Sequence, residues 1–332
     1  MANPTNGQVR IDERLTNIAV AFTQDASEFI ADRVFPSVPV GAQTGKYAVY
    51  DRADLARDDF QLRADATQSA GTGWGLTDDS YSCDVWALHK DIGRQLRANE
   101  RPPIDLDRDA TEYLTEKGLI RRDKSWVESY FVTGVWGRDL DAGSGFTAWD
   151  AGGSTPIQDL ENERIIQKKR SGRFPNKLVL GAEVWTVIKN HSDFIDRVKY
   201  SGAMNPAQFT PQALAALLEL DEVLITSGVE TFTEKGDPDP TYSFLAGNNA
   251  LLCYAAPRPS LLVPSAGYTF PWQGLKGLNG GSGTGDLTIV HIPMDQLGIG
   301  TVRVEAEMAY DMKLVAADCG SFFEDCVTEL DA

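Results

Sequence analysis

The sequence predicts an α+β protein that is drawn out rather than round, and three observations carry that reading. Leu106, Tyr113, Ile120 and Val127 recur every seven residues, with Ala110, Leu114 and Phe131 on nearby faces, the mark of one long helix. From Thr301 to Leu314 one set of alternate residues is apolar and the other almost wholly polar, the mark of one long half-buried strand. Over about residues 173–296, short strand-like and helix-like runs alternate, as in a compact mixed α/β unit.

Residues 1–40 read as an arm. It ends in Phe35-Pro36-Ser37-Val38-Pro39-Val40, where two prolines forbid helix and favour an extended path that must lie on something else. Lys46–Tyr50 and Tyr81–Leu88 read as strands. Between them, residues 51–80 are strongly polar with little apolar periodicity, too long for an ordinary loop inside a compact domain. Such a run is either a disordered surface loop or a two-stranded excursion ordered against a neighbouring subunit. Its close mixture of both charges, Asp51 to Asp65, suits contact with a similar patch on another copy.

The long helix is expected from about Asp105 to Thr133, after Pro102-Pro103 and before Gly134, across one interior glycine, Gly118. Asp105, Asp107 and Asp109 place negative charge at its start, where the helix dipole favours it. At 1.5 Å per residue it would be about 43 Å long, against a usual helix of about 11–12 residues. Residues 134–156 read as turns and 157–170 as a polar helix. Then come the strand Lys177–Leu180, the helices Ala182–Lys189 and Gln212–Glu219, and the strand Glu222–Ile225. Ser243–Ala246 and Ala250–Tyr254 read as hairpin strands around Gly247-Asn248-Asn249. Residues 274–285 read as a flexible glycine-rich tip.

Composition excludes several functions. In 332 residues, 31 Lys and Arg face 48 Asp and Glu, a formal net charge of -17, with no basic arm to grip nucleic acid phosphates. Acidic balance keeps subunits soluble and mutually repulsive until specific contacts form. No run approaches the roughly 18 apolar residues of a membrane span, and the polar N-terminus has no secretory apolar core. The chain is therefore expected to be soluble and made in the cytoplasm, with Cys83, Cys253, Cys319 and Cys326 reduced and buried.

Motifs of chemistry are missing. His89, His191 and His291 have no second ligand at zinc spacing and read as structural. No serine stands in a nucleophile elbow, and neither glycine-rich run, 71–75 or 281–285, completes a nucleotide-binding motif. Asp105, Asp107, Asp109 and Glu116 match four calcium-loop positions, but Ala110 stands where the turn demands glycine and the segment continues the helical repeat. The expectation is no catalytic, cofactor-binding or metal-binding residue.

Five stretches, in this order, resemble the major capsid proteins of tailed bacteriophages. They are 35–40 leading into Gly45-Lys46-Tyr47; Leu106-Asp107-Arg108-Asp109-Ala110-Thr111; Val179-Leu180-Gly181-Ala182-Glu183-Val184-Trp185; Pro264-Ser265-Ala266-Gly267-Tyr268-Thr269-Phe270; and Ala316-Ala317-Asp318-Cys319-Gly320. The resemblance implies the Hong Kong 97-type capsid fold, with an N-terminal arm (1–40), an E-loop hairpin (41–95), a P-domain with spine helix and long-stranded sheet (96–172 with 297–332), and an A-domain (173–296).

It also implies a function: pentamers and hexamers closing into an icosahedral head around double-stranded DNA, assembled in the host cytoplasm and found in the virion. Its partners would be further copies and scaffolding, portal and decoration proteins. The alternative is an encapsulin-like compartment around a cargo enzyme. Candidate inter-subunit contacts in the excursion are Arg52, Arg57, Asp58, Asp59, Arg63 and Trp74. Some members of the family join subunits by a lysine–asparagine bond near the E-loop tip. Here Tyr47 to His89 contain no lysine, so a non-covalent shell is expected.

Overall fold

The longest strand and the longest helix lie against each other and organise one half of the molecule. The structure, a computed structural model, describes residues 28–50, 56–100, 105–201, 210–234, 236–237, 239–259, 264–274 and 287–328. The expected elements in 1–27, Pro102-Pro103 and most of the 274–285 tip lie outside them.

In chain order, the arm contributes a short helix, α1 (Ala31–Val34). Strands β1 (Thr44–Tyr50) and β2 (Leu76–Ser82) form an antiparallel ribbon, and β3 (Asp84–Ile92) follows. The strand expected over 81–88 is thus two, broken at buried Cys83, whose thiol points to the Phe270 carbonyl. After α2 (Arg94–Ala98) comes the long helix α3 (Leu106–Tyr130). Asp105 caps it, its carboxylate accepting from the amides of Asp107 and Arg108.

The buried line on α3 is not the heptad. Leu106, Ile120 and Val127 are only half-buried and Tyr113 is exposed; Ala110, Leu114, Arg122 and Trp126 are buried instead. Steps of four advance the buried face by about 40° each, so the helix changes neighbours along its length. Its first half packs Ala110 and Leu114 on the long-strand sheet; its second half packs Trp126 under the arm. Gly118 lies between, with the Leu287 side chain where a Cβ would come within 3.1 Å.

Beyond α3 come β4 (Asp139–Asp141), α4 (Pro156–Ser171), β5 (Lys177–Gly181), α5 (Ala182–Asn190), α6 (Ser192–Ser201) and α7 (Pro211–Leu217). They are followed by β6 (Glu222–Thr226), β7 (Val229–Glu230), β8 (Ser243–Phe244) and β9 (Ala250–Cys253). The chain ends with β10 (Gly267–Pro271), β11 (Leu287–Pro293), β12 (Val302–Leu314) and β13 (Gly320–Glu324).

Strand β12 runs through the middle of a four-stranded antiparallel sheet. Strand β3 pairs along one edge, from Val302↔Ile92 to Tyr310↔Asp84, and β11 and β10 share the other. Val304, Ala306, Met308, Tyr310 and Met312 are buried, as the alternation predicts. A second sheet, ordered β4-β13-β9-β5-β6, is buried on both faces. Leu178, Leu180 and Leu252 face helices α4 to α7; Val179, Leu251 and Cys253 face Trp126, Phe35 and Met308.

One expectation is corrected. Strands β8 and β9 are not a hairpin: β8 pairs with β7, whereas β9 lies between β5 and β13. Every residue of β9 is buried, and a strand covered on both faces sits in the middle of a sheet, needing a neighbour on each side. The sheets also cross the sequence boundaries drawn for the parts. Strands β10 and β11 join the long-strand sheet rather than the compact unit, and β4 and β13 do the reverse.

The arm lies where its prolines require, alongside β10. The Val38 and Val40 amides donate to the carbonyls of Thr269 and Pro271 at 2.8 and 2.9 Å. Phe35 is wholly buried against Trp126, Tyr130 and Trp136, its ring filling the space over Gly267.

Candidate inter-subunit surface

The ribbon of β1 and β2 carries the polar excursion away from the body, and its base is fixed by aromatic packing. Tyr47 and Tyr81 lie on Phe270 at 5.5 and 5.0 Å between ring centroids. The Tyr47 hydroxyl donates to Asp79 Oδ2 at 2.6 Å; burial first and this carboxylate second push its own ionisation upward. The same bond holds the Asp79 carboxyl below the usual carboxylate range. The Ser82 amide donates to Asp311 Oδ2 at 2.8 Å, tying the ribbon to β12.

Beyond the base, every described residue from 56 to 80 except Asp59 is exposed. The six candidate residues fall as follows. Arg52 lies outside the described residues. Arg57 and Asp58 are exposed, and Asp58 Oδ1 accepts from the Phe60 amide at 3.2 Å. Asp59 ties the two limbs together, its Oδ2 accepting from the Thr72 hydroxyl at 2.5 Å. Arg63 donates from Nε to the Thr67 carbonyl at 2.5 Å, closing a local turn. Trp74 is 66% exposed.

Two residues absent from the sequence-based set are more conspicuous than any in it. Phe60 and Leu62 are fully exposed, like no other large apolar side chains described. Their signal was legible as isolated apolar residues in a charged run. An apolar side chain held out beyond the end of a two-stranded ribbon gains little within its own chain; it gains about 1.5–3 kcal/mol only when another surface covers it.

The other candidate chemistry resolves into structure. Asp105 to Glu116 lie in the cap and first turns of α3, not in a calcium loop. His191 Nε2 stands 3.0 Å from Ser154 Oγ, but the hydroxyl hydrogen has main-chain acceptors at Ala151 and Trp149, and His191 Nδ1 accepts from the Asp193 amide. The pair therefore holds a turn. All four cysteines are buried and none is in a disulfide, and burial pushes the Cys253 thiol up to about 12.

No family model matches the chain. Among curated proteins it is 26% identical over 330 residues to the major capsid protein of Pseudomonas phage JBD67, covering 97% of this chain and 99% of that one. It is 25% identical over 279 residues to the major capsid protein of Burkholderia phage BcepMu, covering 80% and 84%. Among solved structures, a phage-related protein of Bordetella bronchiseptica RB50 aligns with a TM-score of 0.67 at 21% identity, over 90% and 93% of the two chains. The capsid of Myoviridae phage XM1 aligns with a TM-score of 0.57 at 14% identity, over 95% and 98%.

The chain has the Hong Kong 97-type capsid fold. In sequence it resembles the major capsid proteins of these two phages. The encapsulin of Synechococcus elongatus PCC 7942 shares the capsid fold, with a TM-score of 0.55 at 10% identity over 100% and 99% of the chains. For a chain of this capsid fold, the long strand and long helix noted from the sequence are the expected frame.

Proposed function

We propose that this chain is the major capsid protein of a tailed phage. Many copies form pentamers and hexamers that close into an icosahedral head around double-stranded DNA. The observation that carries this reading is the end-to-end likeness to a phage major capsid protein, 97% of one chain against 99% of the other. The exposed excursion supports it physically. Phe60, Leu62 and Trp74 are exposed apolar side chains in a charged segment with Arg57, Asp58, Asp59 and Arg63, uncovered by the described residues of their own chain, which suits a neighbouring copy. Arg52 belongs to the same proposed contact. In this reading 1–40 is the arm, 41–95 the E-loop, 96–172 with 297–332 the P-domain, and 173–296 the A-domain, with sheet pairing across those limits. Assembly takes place in the host cytoplasm with portal, scaffolding and decoration proteins as partners, and the product is the virion.

The likeness to an encapsulin supports one alternative, a compartment around a cargo enzyme. Electron microscopy of the purified protein tests the common element. Closed shells are expected; only unassembled subunits under every assembly condition would overturn it. Nuclease-protected DNA inside particles from infected cells supports the phage head, whereas a stoichiometric protein cargo without DNA supports the alternative.

A further inference from the structure

A second surface, where β3 meets α3, lies apart from the excursion. Trp86, Leu88 and Lys90 occupy one face of β3, opposite Met308, Ala306 and Val304 of β12. Tyr113, Lys117 and Arg121 stand four apart on α3 and share one face of the helix. The two rows interlock. The Lys90 and Lys117 ammonium groups flank the Tyr113 ring at 5.7 and 5.6 Å, and the Arg121 guanidinium lies 4.0 Å over the centre of Trp86. Both rings remain open to solvent, at 44% and 38% exposure.

These three cations make no ion pair with a carboxylate among the described residues, and Arg121 Nε has no acceptor there. In a chain with 48 acidic and 31 basic residues, that is unusual. Elsewhere on the same helix the cations are paired: Arg108 with Glu112, and Lys124 with Glu128 and Glu230. Asp109 feels the charge of Lys90 but stands beyond ion-pair distance.

We propose that this stripe holds the phosphate backbone of the enclosed nucleic acid, weakly and without reading its sequence. The inference rests on the shell reading for the identity of the ligand. Lys117 and Arg121 are one helical turn apart, about 6 Å along the axis, and Lys90 extends the row from the strand. A row of cations without acidic partners among the described residues suits a polyanion. The rings lie beneath the cations instead of offering empty sockets, which a folded acidic partner would need for its apolar anchors. Three phosphate contacts give binding that falls steeply with salt, so duplex can be retained near the wall and still move during packaging and ejection.

The test is titration of a labelled random-sequence duplex with the purified full-length subunit, followed by fluorescence anisotropy across a salt series. K90Q/K117Q/R121Q removes the stripe charges, and K46Q/R94Q/K189Q removes the same net charge elsewhere. The wild type and the control should bind alike at low salt. The stripe variant should bind at least tenfold more weakly, with a salt slope smaller by about 2–3, at about 0.9 per lost phosphate contact. Equal binding by stripe variant and control, no binding by the wild type, or polyglutamate competing as well as DNA would each overturn the proposal. Shell formation by the wild type, read by electron microscopy, judges the shell reading separately from the duplex titration.

Discussion

Asp123 lies on the buried side of α3, with one carboxylate oxygen accepting from the amides of Ile30 and Ala31 at 2.9 and 2.7 Å. Burial raises its carboxyl to about 6, against the pull of those two amides and of Arg122, and the charge of Asp32 adds to the rise. The unfolded chain titrates it near 3.9. The folded state therefore holds the proton more tightly, and this stabilisation is full below about pH 4 and lost as pH rises through about 6. Asp123→Asn keeps an acceptor for both amides without the charge. It should match the wild type near pH 4 and exceed it near pH 8 by up to about 3 kcal/mol, read by denaturant unfolding of the free subunit. A variant less stable than the wild type at pH 8 would mean that the amides gain more from the charge than burial costs. Gly267 gives a second test at this scale. A Cβ there would stand 2.4 Å from Phe35, whose ring is locked among three other aromatics. Gly267→Ala should cost about 1–3 kcal/mol and loosen residues 35–40, seen as faster amide exchange at Val38 and Val40.

At the scale of elements, what was legible in the sequence depended on whether the pleat or the neighbours set the pattern. In β12 successive side chains point to opposite faces whatever packs on them, so strict alternation from Val302 to Leu314 predicted it almost to the residue. Helix α3 was legible in existence and length but only partly in its buried line, because that line advances in steps of four from one partner to another and drifts off the seven-residue repeat. Strand β9 was legible as a strand and misplaced as a hairpin, since four buried residues say nothing about which strands flank them. The stripe of Lys90, Lys117 and Arg121 was illegible, because its members come from two separate elements in an acidic chain. The excursion was legible as an anomaly: too long and too polar to order itself. Deleting residues 55–75 should therefore leave a folded, soluble subunit with an unchanged unfolding midpoint that fails to form shells in electron micrographs. Normal shells from the deletion variant would remove the excursion from the assembly contact. Replacing Phe60, Leu62 and Trp74 together by serine should weaken assembly in the same direction while leaving the ribbon intact.

At the scale of the whole molecule, one of four apolar clusters joins the two large sheets. Met308, Tyr310 and Met312 of the long-strand sheet and Val179, Leu251 and Phe322 of the second sheet pack in a single cluster around Phe35 and Trp126. The excursion stands outside that cluster, so subunit stability and assembly should respond to different residues. A chain with a net charge of -17 repels its own copies at long range, and contacts between them must overcome that through buried apolar area and paired charge. Covalent joining through a lysine of the excursion is not expected. From Tyr47 to His89 there is no lysine; Arg52, Arg57 and Arg63 are the basic residues before the base, and a guanidinium stays protonated and is a poor nucleophile. Disulfides are a poor substitute: Cys83 is the one cysteine of that region, and it is fully buried beneath Phe270. Mature particles boiled in detergent and reductant should therefore run as one band near the subunit mass of 36.3 kDa. A ladder of multimers surviving that treatment would show a covalent bond formed by some other pair of side chains, and peptide mapping of the ladder would identify it.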